Sequence, residues 1–91
     1  MHMDMVQAEQ ALLAGQVVRF TLDGRRYFIQ PENNKGWDYL GLWQEDGFPV
    51  CLARAFFDMA DGIDADTVRE LLAQPGPGGL TVGDCLARAE A

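Results

Sequence analysis

Apolar and polar residues alternate most clearly near the start of the chain. Val17-Val18-Arg19-Phe20-Thr21-Leu22 and Arg25-Arg26-Tyr27-Phe28-Ile29-Gln30 are two β-rich runs around Asp23-Gly24. Asp-Gly suits a two-residue type I′ turn, in which both central residues need positive φ. Such a turn pairs Leu22 with Arg25, Phe20 with Tyr27 and Val18 with Ile29. Val18, Phe20, Leu22, Tyr27 and Ile29 then share one face. The other carries Arg19, Thr21, Arg26 and Gln30, with Val17 and Phe28 as apolar exceptions. Turn chemistry and period agree, which predicts a hairpin over 16–30.

Residues 31–36, Pro31-Glu32-Asn33-Asn34-Lys35-Gly36, read as a loop, because proline cannot donate to a central ladder. A third strand is predicted near 37–44. Its alternation sets Trp37, Tyr39, Gly41 and Trp43 on one face against Asp38, Leu40 and Leu42 on the other. Glu45-Asp46-Gly47-Phe48-Pro49 reads as a turn. Residues 50–60 fit two descriptions, since Val50 to Ala55 suit a strand while Leu52, Ala55, Phe56 and Met59 keep helical spacing. The expectation is a short strand at 50–54 and a helical turn at 55–60.

Helical signals lie at both ends. Residues 6–14 are rich in helix formers and stop at Gly15, with Val6, Leu13 and either Gln10 or Leu12 on one stripe. Asp64 can cap a helix over 65–73 with Val68, Leu71 and Leu72 as its stripe. Residues 74–79 break the chain with two prolines and three glycines. Thr81 and Asp84 then resemble a capping box opening a helix over 82–90 that presents Val82, Cys85, Leu86 and Ala89. Residues 1–5 lack periodicity and are expected to be disordered. The sum is an α+β fold and a single domain, 1–91. A short N-terminal helix leads into a three- to four-stranded antiparallel sheet, and two or three short C-terminal helices pack on one sheet face.

Composition sets the scale. Ninety-one residues, 48% hydrophobic, can build one modest core. Uninterrupted apolar runs reach only four residues, which predicts neither a membrane helix nor a secretory signal, so the expected location is cytoplasmic with Cys51 and Cys85 reduced. Fourteen acids against seven bases give a net charge of −7, and residues 44–91 hold nine of the acids and three of the bases. Direct nucleic-acid binding and anionic membranes are disfavoured, since both ask for clustered Lys and Arg.

Catalytic and metal chemistry find few carriers. The chain has no serine, and its one histidine, His2, is terminal. The acids between Asp58 and Asp66 fail as a calcium loop in either frame, because Ala60 and Gly62, or Ile63 and Ala65, fall at ligand positions. Gly76-Pro77-Gly78-Gly79 precedes a helix but lacks the lysine of a phosphate loop. No enzymatic activity, cofactor or metal is expected.

The third strand is the informative element. Two packings fit it: aromatics as core with Leu40 and Leu42 beneath the N-terminal helix, or leucines inward and aromatics outward. The second packing offers a binding surface of Trp37, Tyr39, Trp43 and Phe48, aided by Arg19 and Arg26 on the hairpin. Lys35 would extend it into an aromatic–cationic patch suited to an acidic peptide or carboxylate. The expected function is a small acidic protein-interaction or regulatory module whose partner is another protein or a second copy. The alternative is an acidic mimic of nucleic acid, of the kind carried by phages and mobile elements, with the acids of residues 45–70 as its surface.

Overall fold

Two tight turns generate most of the sheet. In the computed structural model, which describes residues 2–90, Asp23 and Gly24 take φ of 52° and 77° and join β1 (Val18–Leu22) to β2 (Arg25–Asn34). Val18 lies opposite Ile29, Phe20 opposite Tyr27 and Leu22 opposite Arg25, the register that a two-residue Asp-Gly turn demands. Lys35 and Gly36, at φ of 54° and 86°, make a second two-residue turn into β3 (Trp37–Gln44). Asn34 pairs with Trp37 across it. The loop expected over 31–36 is therefore four residues of strand and a turn.

Proline is tolerated inside β2 for a reason of alternation. The N–H of Glu45 donates to the carbonyl of Arg26, so residues 28, 30, 32 and 34 bond to β3 in turn. The nitrogens of Tyr27, Ile29 and Pro31 consequently face β1. Pairing with β1 ends at Ile29, so the N–H that Pro31 lacks has no ladder partner to lose.

β4 (Val50–Phe57) completes a sheet of order β1-β2-β3-β4. It runs three residues past the expected end at 54, replacing the predicted helical turn at 55–60. The chain turns instead at Asp58, whose carbonyl accepts from the N–H groups of Asp61 and Gly62. Leu42 pairs with Ala53 but Trp43 pairs with Cys51, which leaves Leu52 as the extra residue of a β-bulge. The bulge lets Cys51 and Arg54 share a face although they are an odd three positions apart.

The helices are α1 (Met5–Leu13), α2 (Ala65–Ala73) and α3 (Val82–Arg88), capped by Asp4, Asp64 and Thr81. They cover one sheet face, α2 lying on β3 and β4, α3 on β1, and α1 against α2 and β1. The core joins Leu12, Ile29, Leu40, Leu42, Leu71, Val82, Cys85 and Leu86, all without solvent exposure. In α1 the buried stripe is Ala8 and Leu12, while Val6 and Leu13 are exposed, contrary to expectation. That helix is apolar around much of its girth, so docking against α2 and β1 selects the stripe.

Both chain ends are tied to the sheet edge. The N–H of Met3 donates to the carbonyl of Ala89, and Asp4 caps α1, so residues 2–5, expected to be disordered, are anchored; residue 1 lies outside the described residues. α3 stops at Arg88 because Ala89 turns extended and Glu90 exchanges two hydrogen bonds, of 2.8 and 2.9 Å, with Thr21 of β1. On the opposite edge the side-chain amide of Gln74 accepts from the Arg54 N–H at 3.0 Å and donates to the Arg54 carbonyl. One glutamine thus imitates a neighbouring strand and occupies part of the exposed β4 edge.

These placements make the core and the proline separable by mutation. Leu40→Ala should cost about 2–5 kcal/mol in chemical denaturation, the usual loss for a cavity under a sheet. Pro31→Val should change stability by no more than about 1 kcal/mol, since only unfolded-chain entropy is altered. A larger loss would contradict the position given to its nitrogen.

Candidate interaction surface

The side-chain alternation of β3 is resolved in favour of leucines inward. Leu40 and Leu42 are fully buried under the helices, and Trp37, Tyr39, Gly41 and Trp43 stand on the face that no helix covers. That face divides into two clusters near the two ends of β3. Six residues of strand between Trp37 and Trp43 amount to about 20 Å.

The first cluster spans β1 to β3. Arg19 lies 5.7 Å over the Phe28 ring, and Phe28 stacks on Trp43 at 6.5 Å with 12° between ring planes. Arg19 also pairs with Glu45 at 3.7 Å. Trp43 is half-buried, and its indole N–H is enclosed without a hydrogen-bond partner among the described residues. Gly41 is what lets the indole lie there, because a Cβ at that position would sit 2.8 Å from Trp43 Nε1 and 3.1 Å from the Tyr39 ring.

Arg26 is committed within the molecule. Its Nε and Nη2 donate to Asp46 Oδ1 at 3.0 and 2.8 Å, and its backbone N–H donates to Asp46 Oδ2 at 3.0 Å. These bonds hold the Asp46 carboxyl below the ordinary carboxylate range, the backbone N–H of Arg26 contributing most and its side chain next, and they raise the Arg26 guanidinium in turn. The guanidinium expected to meet a partner instead pins the β3–β4 loop. At that loop's tip Phe48 is 91% exposed.

The second cluster spans β3 and β4. Trp37 is 67% exposed and Phe56 50%, and their rings meet edge to face at 6.0 Å. Tyr39 is only 3% exposed and forms a floor rather than a contact surface. Its ring lies 5.8 Å from Phe56 with the Arg54 guanidinium 5.1 Å above it, and its hydroxyl donates to Glu32 at 3.1 Å. Burial first, and that bond second, raise the tyrosine's pKa above its usual value. Arg54 also donates from Nε to Cys51 Sγ at 3.2 Å. Met59, 69% exposed, flanks Trp37 and Phe56 on the far side.

The six expected residues are thus divided. Trp37 and Tyr39 lie in the second cluster, Trp43 and Arg19 in the first, Arg26 beside the first in an ion pair, and Phe48 on the loop beyond it. Arg54, Phe56 and Met59 were missed. The alternation of Arg54 and Phe56 around buried Ala53 and Ala55 and half-buried Phe57 carried the signal, but the helical spacing of 52, 55, 56 and 59 competed with it.

Of the two cysteines, Cys85 is a fully buried hydrophobe and Cys51 is half-buried, and both are free thiols. Among the described residues no group of three His, Cys, Asp or Glu side chains is arranged to hold a metal ion, and no helix is long and apolar enough to cross a membrane.

Comparison with known proteins adds one likeness. A zebrafish (Danio rerio) protein described as "Neuronal PAS domain-containing protein 4-like" is 37% identical over 67 residues. The match takes in 74% of this chain but spans only 9% of the zebrafish protein's length. No family model matches the chain, and no solved structure matches it.

Two measurements probe this surface. Gly41→Ala should displace the Trp43 indole, costing about 1–3 kcal/mol and changing tryptophan fluorescence; an unaltered emission spectrum would contradict the tight approach. The Asp46 carboxyl should titrate below a peptide aspartate, so its stabilising effect is complete above about pH 4 and is lost as pH falls through its lower folded value. Carboxyl NMR titration checks the order, and an Asp46 midpoint at or above about 3.9 would refute it.

Proposed function

We propose that this protein is a non-catalytic interaction module that binds another protein through the uncovered face of its sheet. The observation that carries the reading is the pairing of Trp37 and Phe56, two large rings held edge to face while half or more exposed. Aromatic side chains lose little entropy when fixed and bury much apolar area, so rings already held by their neighbours suit the centre of an interface. The scaffold beneath is rigid, with Tyr39 as floor and Leu40 and Leu42 anchored on the other side.

A second copy of the chain is the simplest partner, because small domains often bury sheet surface against themselves. Sedimentation velocity at micromolar concentration reports that form directly. Whatever the partner, the double substitution Trp37→Ser and Phe56→Ser should remove the association while leaving the fold intact, since neither ring fills the core. Proximity labelling in the source cell should recover proteins that the double variant loses. Identical sets from both chains, with no self-association of the wild type, would overturn the proposal.

A further inference from the structure

The second aromatic cluster has a chemical sidedness that narrows its partner. A groove of about 380 Å³ opens on the uncovered face between Trp37 and Phe56, floored by Tyr39, with Asn34 and the two cations Lys35 and Arg54 at its margin. Three arginines of this chain, Arg19, Arg26 and Arg69, form ion pairs. Lys35 and Arg54 form none within 4 Å among the described residues. Glu32 acts on Arg54 through space, but its oxygens already accept from the Tyr39 hydroxyl and the Gln30 amide. Arg54 spends Nε on Cys51 and lays its guanidinium over Tyr39, which leaves its terminal nitrogens for another acceptor.

The neighbouring strand edge supplies a backbone partner. Residues 53, 55 and 57 of β4 bond to β3 by the alternation that fixes the whole sheet, so the N–H and carbonyl groups of Arg54 and Phe56 point outward. Gln74 already satisfies those of Arg54, which supports this assignment and shows that the edge accepts amide partners. Among the described residues the Phe56 pair meets no partner, on the residue whose side chain lines the groove.

Resting on the binding role proposed above, we infer that this groove takes an extended acidic segment of a partner protein. The segment adds to the β4 edge at Phe56, with a carboxylate between Lys35 and Arg54 and an apolar side chain against Trp37. A strand added to an edge takes its affinity from main-chain bonds and its specificity from every second side chain, and the groove presents what those side chains would meet. A basic segment suits the opposite side of Trp37, where a groove of about 710 Å³ carries Asp38 and Asp58. The two possibilities are therefore distinguishable.

The net charge of −7 opposes approach of an acidic segment, so added salt screens both the local attraction and the overall repulsion. The test uses peptide chemistry instead. The probe is a fluorescein-labelled heptapeptide with glutamate and phenylalanine at alternate odd positions and threonine between them. Glutamine and lysine counterparts replace the glutamates, and binding is read by anisotropy. The glutamate peptide should bind at least about tenfold more tightly than the other two. Lys35→Asn, which removes the charge with a residue that tolerates positive φ, should weaken it about three- to tenfold, and Trp37→Ala at least as much. Unchanged denaturation midpoints show that the variants remain folded. Equal binding of the glutamine peptide, preference for the lysine peptide, or no binding at about 1 mM protein would each overturn the acidic-segment assignment. None of these would touch the wider binding role, which falls only if the Trp37 and Phe56 double variant keeps its partners.

Discussion

The structure depends on a constraint in one strand. Adjacent side chains of β3 must face opposite ways, and Leu40 and Leu42 both insert beneath the helices. Once they do, Trp37, Tyr39, Gly41 and Trp43 have no choice but the other face. Among the described residues there are three short α-helices, enough to roof one side of a four-stranded sheet. The aromatics are thus covered by neighbours on their own face, chiefly each other and the guanidinium groups of Arg19 and Arg54. Exposure of Trp37 and Phe56 follows from covering one face and leaving the other to its own side chains.

The margins of the sheet are finished by polar groups that do the work of missing strands. Glu90 exchanges two backbone bonds with Thr21 on the β1 edge, and the Gln74 amide meets both backbone groups of Arg54 on the β4 edge. Asp46 holds the β3–β4 loop to Arg26 by three bonds from one residue. An unpaired edge is a template for unwanted pairing, and closing part of it narrows where a strand can be added. On the binding role proposed above, control of edges and specificity of binding are two results of one arrangement.

Much of this was legible because short-range rules agreed. Asp23-Gly24 names a turn type, the turn sets the register, and the register aligns five apolar side chains; each step could be read without knowing the rest of the molecule. Helices α2 and α3 were likewise visible through Asp64 and Thr81, since caps act within three residues. The misreadings all turned on distant partners. Pro31 excludes a strand only where its nitrogen would face a neighbour, and the length of β1 decides that. Leu52 breaks the period of two because a bulge forms opposite Leu42 and Trp43, and the residues around it then imitate a helix. Arg26 looked available because nothing local reveals that Asp46, twenty residues away, will fold back on it. The candidate surface was legible as a strand face and illegible as a site, since its sharpest features come from β4 packing beside β3.

The charge of the molecule is best treated as two layers. The helix layer carries Asp4, Glu9, Asp64, Asp66, Glu70 and Asp84 against Arg69 and Arg88, whereas the uncovered sheet face and the turns between its strands carry Arg19, Arg26, Lys35 and Arg54 against Asp23, Glu32, Glu45 and Asp46. A screening length of about 8 Å at physiological salt is well below the smallest extent of the molecule, 20 Å. A ligand in the groove therefore feels Lys35 and Arg54 at contact and the helical acids scarcely at all. Net charge governs how the whole protein drifts toward others; it does not govern what one face accepts. An acidic protein can thus hold an acidic segment where unpaired cations border aromatic rings on one layer and the helical acids lie on the other.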